Sequence, residues 1–136
     1  MSTVSQEVPM TRLRWIQDGG KEIFFLDFKH ATVAESLAML DDLKQHLQGR
    51  PAQSVLALAD VTAASYDPSV STRWKATRMA FAPIVRATAV YGMSGMVALS
   101  LRAAAQVQRL MGLTRNWDEQ KYFKTRAEAL AWLHKL

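Results

Sequence analysis

Two short apolar runs, Ser54 to Ala59 and Arg86 to Tyr91, constrain this chain most: each is bounded by turn residues, and the stretch between them has helical spacing. Runs of this kind read as buried strands. Two strands of one sheet can run parallel only if a crossover returns the chain, and an intervening helix provides it. The pattern therefore predicts an α/β domain with parallel central strands.

The segments on either side extend that reading. Thr11 to Gln17 alternates, with Leu13 and Trp15 on one face and Arg12 and Arg14 on the other, as expected of a half-buried edge strand. Asp18-Gly19-Gly20 accepts positive φ, and Lys21 to Lys29 follows with the apolar run Ile23-Phe24-Phe25-Leu26, which predicts a β-hairpin whose second strand is the more buried. Thr32-Val33-Ala34-Glu35 is a capping box. Val33, Leu37, Leu40, Leu43 and Leu47 then recur at helical spacing until Gly49-Arg50-Pro51 ends the helix.

Ser54 to Ala59, closing at Asp60, reads as the central strand. Asp67-Pro68 is an N-cap followed by proline at the first helical position, and Val70, Trp74, Thr77 and Phe81 form the expected inward stripe up to Pro83. Beyond the strand at Arg86 to Tyr91, Gly92-Met93-Ser94-Gly95 leads into a helix expected from Met96 to Met111, with Arg102, Gln106 and Arg109 as its polar stripe. A last strand within Trp117 to Lys124, a second capping box at Thr125 to Glu128, and a helix carrying Leu130 and Leu133 complete the order ββαβαβαβα. The expectation is one mixed, mostly parallel sheet of about five strands with an N-terminal hairpin and about four helices. Residues 1–9 read as a flexible N-terminal tail and residues 10–136 as a single domain.

Composition narrows function. The 136 residues contain no cysteine, which excludes thiol chemistry and Cys-ligated zinc and suits a reducing cytoplasm, the expected location. No export signal or membrane-spanning run is apparent. The net charge is +5, but the basic residues are scattered, so no nucleic-acid partner is expected. His30, His46 and His134 fall apart from one another and from carboxylates at ligand spacing, so neither metal nor cofactor is expected.

Ligands of open α/β sheets gather beyond the carboxyl ends of the strands. Two loops are placed there: Asp60 to Asp67, and Gly92 to Gly95. Asp60 is either a turn-former or a ligand-binding group. Thr62 and Ser65 are either ordinary loop hydroxyls or phosphoacceptors ahead of a helix. Gly92-Met93-Ser94-Gly95 lacks the lysine and spacing of a phosphate-binding loop and is not a Gly-x-Ser-x-Gly elbow. Arg73, Lys75 and Arg78 supply a basic surface on the helix after the first loop. Trp74 reads either as core or, with Arg73 and Arg78, as a stacking surface. Met79, Met93, Met96 and Met111 give an adaptable lining that fills or leaves a cavity. No nucleophile, base and orienting group assemble from the sequence, and an enzyme is not expected.

The segments Leu56-Ala57-Leu58-Ala59-Asp60-Val61-Thr62, Ala87-Thr88-Ala89-Val90-Tyr91-Gly92-Met93 and Phe123 to Leu133 together resemble STAS-like domains, which are related to bacterial anti-sigma-factor antagonists. The chain is most similar to their small, uncharacterised single-domain branch, whose fold is also compared with lipid-binding CRAL-TRIO domains. The resemblance runs from about Leu13 to Leu133. It implies a mixed sheet flanked by helices and a regulatory, protein-interaction role, sometimes switched by phosphorylation after the third strand. Ser65 and then Thr62 are the positions it points to, although Ala63-Ala64-Ser65-Tyr66-Asp67 stands where antagonists carry an Asp-Ser-Ser-Gly-type segment.

Two roles follow as expectations. In the first, the Asp60 to Asp67 loop and the helix bearing Arg73, Lys75 and Arg78 dock a protein partner. In the second, a small lipid-like or amphipathic ligand lies between sheet and helices, with Arg86 or Ser94 at its polar end and Asp60, Gly92 and Gly95 nearby. A homodimer that covers the edge strand around Leu13 and Trp15 and exposed apolar parts of the last helix is the remaining expectation.

Overall fold

The computed structural model describes residues 12–65, 67–93 and 119–136. The expected tail at residues 1–9, the expected helix from Met96 to Met111, Ser94, Gly95 and the first residues of the last expected strand lie outside them.

Strand β1 (Leu13–Asp18) and β2 (Lys21–Asp27) pair antiparallel through the turn at Gly19 and Gly20, whose φ values of 55° and 83° explain the two glycines. Helix α1 (Val33–Leu47) opens with the full capping box: the Thr32 N–H donates to Glu35 Oε1 at 2.8 Å and the Glu35 N–H to Thr32 Oγ1 at 3.1 Å. Strand β3 (Val55–Asp60), helix α2 (Pro68–Phe81), strand β4 (Val85–Tyr91), strand β5 (Glu119–Phe123) and helix α3 (Arg126–His134) follow. The strands lie in sequence order, β1-β2-β3-β4-β5, with β2 to β5 parallel. This is the expected mixed sheet, with β1 at one edge and β3 in the centre.

Side-chain alternation divides the core in two. Leu13, Phe24, Leu26, Ala57, Ala59 and Val90 face α1 and α2, and Met39, Leu40, Leu43 and Leu47 of α1 close over them. Ile23, Phe25, Leu56, Leu58, Ala87 and Ala89 face the other way, where α3 lays Ala129 and Leu133. The buried stripe of α1 is set one step from the expected one: Ser36 and Met39 are buried, whereas Val33 and Leu37 are half-buried.

Three further details differ from the sequence reading. Helix α2 buries no residue fully, and Val70, Trp74, Thr77 and Phe81 are only half-buried. The register shifts between Val55 and Leu56, so that Arg86 is an extra residue bulging from the start of β4. The second capping box is half-formed. Thr125 Oγ1 caps the Glu128 N–H at 3.2 Å, but the Glu128 carboxylate accepts from the Lys124 N–H, one residue before the cap.

Candidate functional site

Parallel pairing brings the carboxyl ends of β2, β3 and β4 to one edge, where backbone hydrogen bonds tie their loops together. The Phe28 N–H donates to the Asp60 carbonyl at 2.8 Å, His30 to Thr62 at 2.9 Å, Val61 to Tyr91 at 3.0 Å, and Ser65 to Ala31 at 2.9 Å. Asp60 acts as the turn-former: its Oδ1 accepts the Thr62 N–H at 2.9 Å. His30 and Ala63 hold φ of 57° and 55°, left-handed values that cost a side-chain-bearing residue about 1–2 kcal/mol. Gly92, at φ 91°, lies so close to Thr62 that no Cβ fits between them. The described part of the first loop, residues 60–65, and Gly92 at the start of the second are therefore in direct contact.

Ser65 is exposed in this structure, two residues ahead of Asp67, the N-cap of α2. Asp67 accepts the Ser69 N–H at 2.8 Å and also the Ser69 hydroxyl, which together hold its carboxyl below the ordinary value. Thr62 is half-buried, its hydroxyl packed against Gly92. The basic residues of α2 diverge. Arg73 is paired with Asp41 of α1, Lys75 is exposed, and Arg78 sits in the last turn, roughly 16 Å along the helix from Asp67. Arg86 is exposed at the opposite edge of the sheet from Asp60, five residues and roughly 17 Å from the register position of Tyr91. The structure thus joins Asp60, Thr62, Ser65 and Gly92 and leaves Arg78 and Arg86 apart from them.

A cavity of about 40 Å³ lies among Phe24, Leu43, Ala57, Trp74, Arg78 and Thr88, enough for about three waters and far below the roughly 150 Å³ that accepts benzene. Trp74, one of the residues that line it, lies edge-on to Phe28 at 5.7 Å and donates its Nε1–H to Gln120 Oε1 at 3.1 Å. That volume is too small to enclose a lipid chain. Met39 is buried and Met93 half-buried, but Met79 points outward, 62% exposed.

The sequence reading missed a polar cluster on the α3 face of the same edge. Asp27, Asp60 and Tyr91 occupy neighbouring register positions. Arg126, from the first turn of α3, places a guanidinium N–H 3.4 Å from the Tyr91 hydroxyl and its Cζ 5.1 Å from the centre of the buried Phe25 ring. Arg14 lies 4.6 Å above the same ring and 3.8 Å from Asp27 Oδ2. Burial raises the Tyr91 phenol above its ordinary value, Arg126 opposes that shift, and the Asp60 charge adds to it.

No family model matches the chain, and no curated protein matches it. Among solved structures it is similar to an uncharacterized protein of the DUF3478 family with a SpoIIAA-like fold from Shewanella loihica PV-4, at 17% identity over 89% of this chain and 91% of that one, with a TM-score of 0.65. The chain has a SpoIIAA-like fold. That is the STAS-like architecture implied by the sequence resemblance. An anti-sigma-factor antagonist (STAS) domain protein from Planctomyces limnophilus is more distant, at 14% identity over 90% of this chain and 97% of that one, with a TM-score of 0.45. In this fold the described loop residues 60–65 precede α2, and Ser65 and much of α2 are exposed. No described helix is long and apolar enough to cross a membrane.

Two side-chain pairs among the described residues join a carboxylate to a hydroxyl or an imidazole. Asp67 and Ser69 form the cap of α2, and His134 Nε2 lies 2.6 Å from Asp18 Oδ2, tying the end of α3 to the hairpin turn. No cluster of metal-ligating groups occurs among the described residues.

Proposed function

We propose that this chain is a non-enzymatic regulatory module that docks a protein through the Asp60 to Ser65 loop and the outer face of α2. The observation that carries the reading is α2 itself. Fourteen residues form a well-capped helix without burying one of them, and Met79 stands 62% exposed beside Ala76, Ala80 and Lys75. A helix that contributes so little to the core, while presenting apolar and basic groups together, suits a surface that a partner covers.

Ser65 is the preferred phosphoacceptor in this reading, because it is exposed while the Thr62 hydroxyl packs against Gly92. A phosphate there adds about −1.5 to −2 charges to the docking surface at the start of α2. The expected location is the cytoplasm.

The test compares wild-type protein with Met79→Glu and Ser65→Glu in affinity capture from the source cells, with thermal melting as the control for folding. A partner recovered by wild type and lost by Met79→Glu at unchanged melting temperature supports the reading. Equal recovery by all three proteins overturns it.

A further inference from the structure

We infer that the cavity between α2 and the sheet binds a small uncharged ligand, of short-chain alcohol size, whose hydrogen-bonding group meets the Thr88 hydroxyl. The site lies beneath α2 and does not depend on the docking reading.

Thr88 carries the argument. It stands in the middle of β4, in register with Ala57 of β3 and Gln120 of β5, and it lines the cavity at only 5% exposure. Its hydroxyl has no hydrogen-bond partner among the described residues, whereas buried hydroxyls as a rule have one. The polar groups around it are already used. Gln120 accepts the Trp74 Nε1–H at 3.1 Å, and its own amide donates to the Tyr122 hydroxyl at 2.5 Å. Thr77, which lines the cavity from α2, donates its hydroxyl to the Arg73 carbonyl at 2.8 Å.

The rest of the lining sets the chemical class. Phe24, Leu43, Ala57 and Phe81 are apolar walls, against which a charged group would lose its hydration without compensation, and Arg78 adds to that cost for a cation. Apolar walls with one placed polar group are the usual form of a small-molecule site. Ordered water suits it less: a buried water makes about three hydrogen bonds, and Thr88 alone of the described lining has a polar side chain without a partner. The volume of about 40 Å³, that of about three waters, admits roughly three or four non-hydrogen atoms and no longer chain. Entry past α2 disturbs little, since that helix buries no residue fully.

The full chain is titrated with n-propanol while the Thr88 methyl and Trp74 indole N–H signals are followed by NMR, with n-hexanol as the longer comparison. Saturable shifts of both signals are expected with n-propanol at about millimolar concentration, and none with n-hexanol. Affinity for n-propanol should fall about fivefold or more in Thr88→Val, which keeps the side-chain size, with the variant folded by its amide spectrum. Three results would overturn the site: no saturation, undiminished affinity in Thr88→Val, or water cross-peaks at the Thr88 methyl that n-propanol does not remove. Equal affinity for n-hexanol would overturn the size assignment.

Discussion

A Cβ placed on Gly92 would stand 2.2 Å from Thr62 Oγ1 and 2.9 Å from the Thr62 backbone nitrogen. Thr62 ends the turn shaped by Asp60, and Gly92 begins the segment after β4, so this contact locks the two loops of the carboxyl edge together. Gly92→Ala must both abandon φ 91° and displace backbone, and it is expected to cost at least about 2 kcal/mol. Urea denaturation checks this. Removing the hydroxyl as well, in Gly92→Ala with Thr62→Ala, should recover only part of the loss, because the nitrogen contact persists. Wild-type stability of Gly92→Ala would contradict the packing described.

Trp74 and Phe81, both half-buried, are the apolar side chains of α2 that pack against the core, and Trp74 adds a hydrogen bond to β5. Trp74→Phe loses the hydrogen bond to Gln120 and should cost about 1 kcal/mol; Trp74→Ala should cost about 3–4 kcal/mol and loosen α2. Hydrogen exchange along α2 distinguishes that loosening from global unfolding. If Trp74→Ala left exchange in α2 unchanged, another contact would have to hold the helix.

How much of this was legible in the sequence depends on whether the signal was local. The Gly19-Gly20 turn, the Thr32 to Glu35 box and the Asp67-Pro68 start are short-range chemistry, and each appears in the structure where the residues place it. Parallel pairing of the central strands followed from the crossovers, whereas the spatial order of all five strands is seen only in the structure. What was not legible is lateral. Tyr91 and Arg126 are 35 residues apart and meet only because α3 folds back over the sheet. Arg86 was grouped with Asp60 as a possible ligand contact, yet one residue begins its strand and the other ends its own, and parallel pairing sends them to opposite edges. The half-formed box at Thr125 shows the limit of a local motif: the right residue types are present, but the Glu128 carboxylate finds the Lys124 N–H.

Acid should weaken the starts of two helices. Hydrogen bonds from the Thr32 N–H and hydroxyl hold Glu35 below its ordinary pKa, and those from the Ser69 hydroxyl and N–H do the same for Asp67. A carboxyl whose folded-state pKa is depressed binds its proton more readily in the unfolded chain. Its contribution is therefore complete above the ordinary carboxylate range and is lost as pH falls through the lowered folded values. Stability should be flat from neutral pH to about pH 5 and decline below about pH 4. Asp67→Asn, which keeps a capping group without a titrating one, should show a shallower decline. Urea midpoints across that range test it; an identical acid slope in Asp67→Asn would contradict the role given to Asp67.

The docking role of α2 is tested most directly by replacing Met79 with a photoreactive benzoylphenylalanine in living cells and irradiating them. Gln17, on the exposed edge of β1, serves as the control position. The account predicts a covalent adduct between this chain and a second protein from position 79, and none from position 17. No adduct at 79, or adducts of equal yield at both positions, would contradict it.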